Sequence, residues 1–296
     1  MVEQLIRNQQ VTRSSRVNGS KSLNMKKDRT CNSIDDKNPT FTPPLKWAGG
    51  KRWLVPTLRT ILAPLASRRL VEPFVGGMAV TLGLNPKSAL LNDNNQHLIH
   101  FFLWLQKGLQ INIEMRNERQ AFDKARARFN ELTRTGKSTS RTAAELFYYL
   151  NRTCFNGLCR FNSKGGYNVP FGRYSKINYV EDFRHYKPLL KNWEFCCGDF
   201  EELRLRPSDV IYADPPYDVE FTKYSKNDFR WDDQERLVEW LSRAKGPVIA
   251  SNQATDRILR LYRKNGFRIR KLSAPRRIAC NGNRDRVEEM LALKGF

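Results

Sequence analysis

Asp214-Pro215-Pro216-Tyr217 constrains this chain more than any other stretch. It follows the apolar run Asp209-Val210-Ile211-Tyr212-Ala213, whose β-branched and aromatic residues predict a buried strand. Two consecutive prolines donate nothing to a sheet ladder, so the chain must leave the sheet there. A carboxylate and an aromatic ring are thereby held at the carboxyl end of a strand, where open α/β sheets bind ligands. Asp214 offers acceptor oxygens, Pro215 a carbonyl with no neighbouring N–H to pair, and Tyr217 a flat face. These suit an amino group on a planar heterocycle: two acceptors for two N–H bonds, and a ring on which to stack. The plain alternative is a strand ended by a proline turn. At average residue usage the four letters arise by chance in roughly one chain of this length in a thousand, which favours a site.

Charge points to the partner. Lys plus Arg is 52 against 30 Asp plus Glu, a formal charge of +22 over 296 residues. A field of that sign suits a polyanion, and nucleic acid is the commonest one; a merely soluble basic protein is the alternative. Six cysteines in a chain this long make no disulfide scaffold, and Cys196-Cys197 are adjacent rather than spaced for a metal. Reduced thiols, the lack of an apolar run near the roughly 18 residues that cross a bilayer, and the lack of a signal-peptide core predict a soluble cytoplasmic protein.

Residues 1–40 are rich in Asn, Ser, Arg and Lys without apolar period and predict a disordered basic tail. Order begins at Pro43-Pro44-Leu45-Lys46-Trp47-Ala48-Gly49-Gly50-Lys51, followed by a helix with Pro56 in its first turn and Leu58, Ile61, Leu62 and Leu65 on one face. Leu70-Val71-Glu72-Pro73-Phe74-Val75-Gly76-Gly77 reads as a strand entering a glycine turn. A short helix from Met78 and a second strand, Ala89-Leu90-Leu91-Asn92-Asp93, follow. Strand, glycine turn, helix, strand and acid form the logic of a nucleotide-binding unit, in which Gly76 lets the backbone approach the ligand and Asp93 accepts from ribose hydroxyls. The GxGxxG pattern is not met, so a nucleoside without phosphates, such as S-adenosylmethionine, fits better than a dinucleotide. Any α/β domain with a glycine after its first strand would look similar.

From 97 to 150 the pattern turns helical: 97–105, 122–132 and 143–150, with a polar break at 133–140. Then comes an aromatic, glycine-rich stretch with turns at Gly157 and Gly165-Gly166, predicting a β-hairpin that exposes Arg, Asn and aromatic side chains. Such residues can read bases or wedge into a stack. The alternative is a surface hairpin whose Phe and Tyr residues pack on the preceding helices. Sheet patterns resume at Trp193-Glu194-Phe195-Cys196-Cys197, before Gly198-Asp199-Phe200. Further strands are predicted at 247–252 and, after a turn at 281–283, at 286–293, and helices around Val238 and over 257–263.

Lys46-Trp47-Ala48-Gly49-Gly50-Lys51, Val71-Glu72-Pro73-Phe74-Val75-Gly76, Asn156-Gly157-Leu158-Cys159-Arg160, Asn168-Val169-Pro170-Phe171-Gly172-Arg173 and Asp214-Pro215-Pro216-Tyr217 occur in one order. Together they resemble the Dam-type DNA adenine-N6 methyltransferases of bacteria and their phages, from residue 43 to the C-terminus. The resemblance implies an α/β fold: a Rossmann-like, seven-stranded methyltransferase sheet with an inserted helical and β-hairpin target-recognition domain. The catalytic domain would span 41–96 and 190–296, and the insertion 97–189. It implies S-adenosylmethionine as methyl donor, no metal, and double-stranded DNA with GATC-like sites as substrate. A monomer in solution is expected, with room for more than one copy on DNA. By position, Trp47, Lys51, Phe74, Gly76, Asp93 and Asp214 would line the donor, with Asp199 and Phe200 at its adenine. Lys46, Phe155, Asn156, Leu158, Arg160, Pro170 and Arg173 would face the DNA, and Asp214, Pro215 and Tyr217 would be catalytic. One departure stands out: the family's loop usually reads Phe-x-Gly-x-Gly, and here Met78 replaces the second glycine, with Gly77 one place earlier.

The chemistry of that activity assigns the catalytic roles. An amino group buried in a duplex must be extruded before it reacts, at a cost of a few kcal/mol. Hydrogen bonds from N6 to Asp214 and the Pro215 carbonyl would favour a pyramidal, nucleophilic nitrogen as positive charge develops. Rival readings are methylation of another nucleic-acid amine, either cytosine N4 or an RNA base, and a DNA-binding relative with weak turnover.

Overall fold

The computed structural model describes residues 41–218, 229–274 and 287–296. The tail expected over 1–40 and the turn expected at 281–283 lie outside them. The described chain runs through α1 (Val55–Leu62), β1 (Leu70–Glu72), α2 (Ala79–Leu84), β2 (Ala89–Asp93), α3 (Gln96–Gln106), α4 (Arg119–Arg134), α5 (Arg141–Thr153) and α6 (Lys187–Leu190). It continues with β3 (Trp193–Cys197), β4 (Val210–Ala213), α7 (Trp231–Ser242), β5 (Val248–Gln253), α8 (Asp256–Lys264), β6 (Arg268–Ala274) and β7 (Val287–Lys294).

The strands form one seven-stranded sheet in the order β3-β2-β1-β4-β5-β7-β6. Neighbours from β3 through β5 are parallel, whereas β7 runs antiparallel between β5 and β6. The chain starts at the central β1, winds out through β2 and β3, then returns to β4 on the other side. The strand order therefore reverses between β1 and β4, and a crevice opens beyond their carboxyl ends. Both Glu72-Pro73 and Asp214-Pro215 leave the sheet at that crevice.

Alternation along the strands divides the core in two. Leu70, Leu91, Tyr212, Ile249 and Leu291 face α1 and α3, where Leu58, Leu98 and Phe102 are buried. Their neighbours Val71, Leu90, Ile211, Ala250 and Met290 face α7 and α8, where Leu237, Leu241, Ile258 and Tyr262 are buried. Strands apolar on both faces are what a parallel sheet covered on both sides requires. Pro56 opens α1, where its missing N–H costs nothing. Asn95 caps α3 by accepting from His97 and Leu98 amides, and Ser140 caps α5.

One expectation needs amending, and one strand was not expected. The hairpin after α5 is an excursion held by single antiparallel bridges, Cys154 with Phe171 and Phe161 with Tyr167, and not a continuous ladder. Its turn is closed by Asn162, whose side chain accepts from the amides of Lys164 and Gly166. The strand β6 had no counterpart in the sequence reading. Its pattern, Arg268-Ile269-Arg270-Lys271-Leu272-Ser273-Ala274, is dominated by charge because it is an edge, with only Ala274 fully buried.

Candidate active site and nucleic-acid interface

The crevice is built from loops that β1, β2, β3 and β4 deliver to one end of the sheet. After β1, the chain turns through Val75-Gly76-Gly77-Met78 into α2, and Trp47 lies against this turn. A Cβ on Gly76 would stand 2.9 Å from Trp47 Nε1, and one on Gly77 would stand 2.7 Å from Trp47 Cβ. The two glycines are thus required by the close approach of the indole. Met78 has φ 62° and is fully buried, so the turn keeps a left-handed residue there without a glycine.

Asp93 ends β2 and holds this turn. Its Oδ2 accepts from Gly76 N at 3.0 Å and its Oδ1 from Asn95 N at 3.0 Å. Burial pushes its carboxyl up, partly offset by those two amides. Each oxygen retains a second lone pair. Beside it Asn92, also buried, donates to the carbonyls of Pro73 and Gly198, both at 3.0 Å, and so ties the ends of β1 and β3 together.

Between those ends lies a cleft of about 310 Å³ lined by Phe74, Asp199, Phe200, Phe229 and Arg236 among others. The Phe74 ring lies 5.7 Å from Phe200 and 5.5 Å from Phe229, centroid to centroid, forming an aromatic wall. Asp199 is gripped by Arg236, whose two terminal nitrogens donate to its two oxygens at 3.1 and 2.8 Å. Burial works against the Asp199 carboxylate, yet the Arg236 fork holds it below its ordinary range. The same guanidinium lies 4.7 Å over the Phe200 ring. Arg236 and Phe229 were invisible to sequence reasoning, since neither belongs to a motif.

Across β1, the Asp214 loop meets the glycine-rich loop before α1. Lys51, buried, brings Nζ within 3.2 Å of Asp214 Oδ1 and 3.9 Å of Glu289 Oε2, and lies 4.6 Å from the centre of the Tyr217 ring. Ser251 on β5 donates to the same Asp214 oxygen at 2.7 Å. Asp214 Oδ2 accepts no hydrogen bond from any described residue. Burial pushes the Asp214 carboxyl up, opposed by Lys51 and by the Ser251 hydroxyl. Glu72, fully buried at the end of β1, accepts from the Thr81 hydroxyl, and burial pushes it up to about 8. Glu289 and Glu72 were also missed: one arrives on the distant antiparallel β7, and the other reads as an ordinary strand residue.

The residues expected at DNA fall into two groups. Phe155, Asn156, Leu158, Arg160, Pro170 and Arg173 are all exposed, Phe155 and Leu158 at 49% and 38% despite being large and apolar. Arg160 donates from Nε to Asn168 Oδ1 at 2.9 Å and from Nη2 to Asn168 O at 3.4 Å, which holds its guanidinium against the excursion. Lys46 is partly buried, with Nζ 3.8 Å from the centre of the Tyr174 ring. Asn151 on α5 locks Lys46 to the excursion by pairing with its backbone N–H and C=O and donating to Gly157 O. The other aromatics of the excursion pack inward: Phe161 on His97 at 4.8 Å, Phe171 on Phe122 at 5.4 Å, and Tyr167 on Phe129 at 6.0 Å. Exposed and inward-packed side chains therefore alternate along this stretch, at different residues.

Residues 47–278 match the family model described as D12 class N6 adenine-specific DNA methyltransferase. Among curated proteins, a DNA adenine methylase of Vibrio cholerae is 37% identical over 84% of this chain and 94% of its own length. A DNA adenine methylase of Escherichia coli is 34% identical over 87% of this chain and 95% of its own. A DNA N-6-adenine-methyltransferase of Escherichia phage P1 is 35% identical over 80% of this chain, which spans only 33% of that longer protein. With its seven-stranded sheet, its acid-and-proline loop at the switch point and these similarities, the chain belongs to the family of D12 class N6 adenine-specific DNA methyltransferases.

Proposed function

We propose that the protein transfers the methyl group of S-adenosylmethionine to N6 of an adenine flipped out of duplex DNA, at GATC-like sites. The observation that carries this reading is the placement of Asp214. It stands at the topological switch point with Oδ1 held by Lys51 and Ser251 and Oδ2 accepting from no described residue, one position before the Pro215 carbonyl.

The residues fit the donor. The aromatic wall of Phe74 and Phe200, with the Asp199 carboxylate beside it, suits a purine with an exocyclic amine, and a cleft near 310 Å³ is within the usual range for a small ligand. Trp47, Lys51, Gly76, Asp93 and Asp214 would hold the remainder. When bound, S-adenosylmethionine supplies a methyl group already made electrophilic by its sulfonium. The chain's own task is positioning. Asp214 Oδ2 and the Pro215 carbonyl accept the two N–H bonds of N6, which draws the nitrogen lone pair out of the ring. Tyr217 gives the extruded base a stacking face. Holding the amine in line for attack reduces the remaining barrier without a strong base, and the proton that N6 loses once methylated, then strongly acidic, passes to the Asp214 carboxylate or to water.

Exposed Phe155 and Leu158 beside Asn156, Arg160, Pro170 and Arg173 support the excursion as the surface that meets the duplex, with Lys46 bridging it to the catalytic loops. We accordingly assign 97–189 to target recognition, apart from α3, which packs on the sheet, and 41–96 with 190–296 to catalysis. A cytoplasmic protein that is monomeric until it meets DNA completes the reading. The deciding experiment is mass analysis of nucleosides from duplexes treated with the protein and S-adenosylmethionine. N6-methyladenine from GATC duplexes is expected; N4-methylcytosine, or product from RNA alone, would overturn it.

A further inference from the structure

We propose that Ser251 and Asn252 are positioning residues that hold the loop 214–216 from opposite faces of the sheet and so set the direction of its two acceptors. The inference rests on the assignment of Asp214 and the Pro215 carbonyl to the target amine.

The sheet register makes the arrangement possible. Ala213 at the end of β4 pairs with Ala250, and β5 runs on through Ser251, Asn252 and Gln253 beyond the point where β4 stops. Successive side chains of a strand point to opposite faces. Ser251 thus falls on the Tyr212 side, with Ile249, and Asn252 on the α7 side, with Ala250. Both are buried polar residues, 1% and 0% exposed, where an apolar side chain would avoid the cost of desolvation.

On the first face the Ser251 hydroxyl gives its single proton to Asp214 Oδ1. Its second bond, 2.9 Å to the Tyr212 hydroxyl, must then have the phenol as donor. The phenol is kept protonated, since burial and the nearby Asp214 charge raise it. On the second face Asn252 Nδ2 donates to Gln234 Oε1 at 3.1 Å, which decides which way round the fully buried Gln234 amide lies. Gln234 Nε2 in turn donates to Pro216 O at 2.8 Å. The loop is therefore anchored upstream through the Asp214 carboxylate and downstream through the Pro216 carbonyl. Between the anchors the two proline rings fix φ, leaving little freedom to turn the Pro215 carbonyl. Misplacing a reacting group by about 1 Å can cost roughly a hundredfold in rate, so the clamp acts on turnover.

Asp214 is faced by Lys51, by Glu72 of β1, by Tyr212 of β4, by Tyr217, by Ser251 of β5, by Tyr262 of α8 and by Glu289 of β7. Ser251→Ala removes a donor to the charged form of Asp214. It should lower kcat about tenfold and move the acid limb of the kcat–pH profile to higher pH; Ser251→Thr should restore both. Tyr212→Phe, which removes one oxygen and little volume, should move the limb the same way by less. Gln234→Met, on the other face, should lower kcat by about tenfold at every pH without moving the limb. S-adenosylmethionine affinity by calorimetry should stay within about threefold in each. Asp214→Ala is measured in parallel: if it stays active, the site assignment itself falls. If Asp214→Ala is inactive while Ser251→Ala, Tyr212→Phe and Gln234→Met keep the wild-type kcat and limb, this inference alone is overturned. A lowered kcat with an unmoved limb in Ser251→Ala, the mark of mere structural damage, also overturns it.

Discussion

Lys51 Nζ stands 3.2 Å from Asp214 Oδ1, joining the loop that precedes α1 to the loop that follows β4. Burial drives the Asp214 carboxyl toward its neutral form, and the Lys51 ammonium is the nearest charge opposing it. The lysine also lies against the Tyr217 ring, so one side chain sets both the charge and the packing of the proposed catalytic loop.

Removing that cation should be visible in the pH profile. In Lys51→Met the carboxylate loses its stabilising charge, so its pKa rises and the ionised fraction falls at a given acidic pH. The acid limb of methylation should move to higher pH, and plateau activity should drop by at least about tenfold, since a buried charge has lost its partner. Rate against pH with saturating donor checks this; an unmoved limb would show that the ion pair does not govern Asp214.

Stacking and hydroxyl chemistry separate at Tyr217. Tyr217→Phe or Tyr217→Trp keeps a π-face and should retain much of the activity, whereas Tyr217→Ala should lose the stacking worth roughly 1–3 kcal/mol. Single-turnover rates on one GATC duplex distinguish them. Equal damage from Phe and Ala would mean that the ring is no platform for the base.

Arg160 is exposed and held by Asn168 through Nε and Nη2, and its guanidinium is of the kind that reads guanine O6 and N7. Arg160→Ala should cost about 1–3 kcal/mol of discrimination at one position of the site, so that sites altered there are methylated nearly as well as the preferred one. Asn168→Ala should blunt the same position by less. Rates over every single-base variant of GATC decide the matter; a uniform fall with a salt slope lower by about one unit would assign Arg160 to a phosphate.

The aromatic wall tests the donor pocket. Phe74 touches both Phe200 and Phe229, so Phe74→Ala opens the wall without touching Asp214. S-adenosylmethionine affinity should weaken by about tenfold, or 1.4 kcal/mol, with duplex affinity unchanged. Calorimetry with donor alone measures it, and full affinity would move the donor elsewhere.

Glu72 predicts a pH dependence of stability. Its carboxyl sits near 8 in the folded protein against an ordinary 4.5, raised mainly by burial. Below pH 4.5 both folded and unfolded chains hold the proton, and its contribution is fully present. As pH rises from 4.5 toward 8 only the folded chain holds it, so stability falls by up to about 1.4 kcal/mol per pH unit from this group, then levels off. Glu72→Gln, neutral at every pH and able to accept from Thr81, should flatten that slope. Urea midpoints between pH 5 and 8 compare the two proteins; parallel curves would place the proton elsewhere.

Local chemistry made much of this legible in advance. An apolar run stopped by Pro-Pro can only be a strand leaving its sheet, and so β4 and the position of Asp214 followed from five or six neighbouring residues. The strand–glycine–helix unit at 70–93 was equally local, because a turn that tight restricts its own letters. What escaped was long-range. The edge strand β6 carries charges because an unpaired edge must, and that erases the apolar alternation by which strands are recognised. Glu289, Ser251 and Gln234 surround the Asp214 loop only because β7 inserts antiparallel beside β5 and the pleat sends neighbours to opposite faces. Asp93 was expected as a ribose acceptor, and its amide bonds to the glycine turn depend on a fold that brings β2 beside β1. Motifs are chemistry confined to a few consecutive residues, so the sequence states them outright; the partners that tune those motifs come from other strands and helices, and only the packed sheet decides which they are.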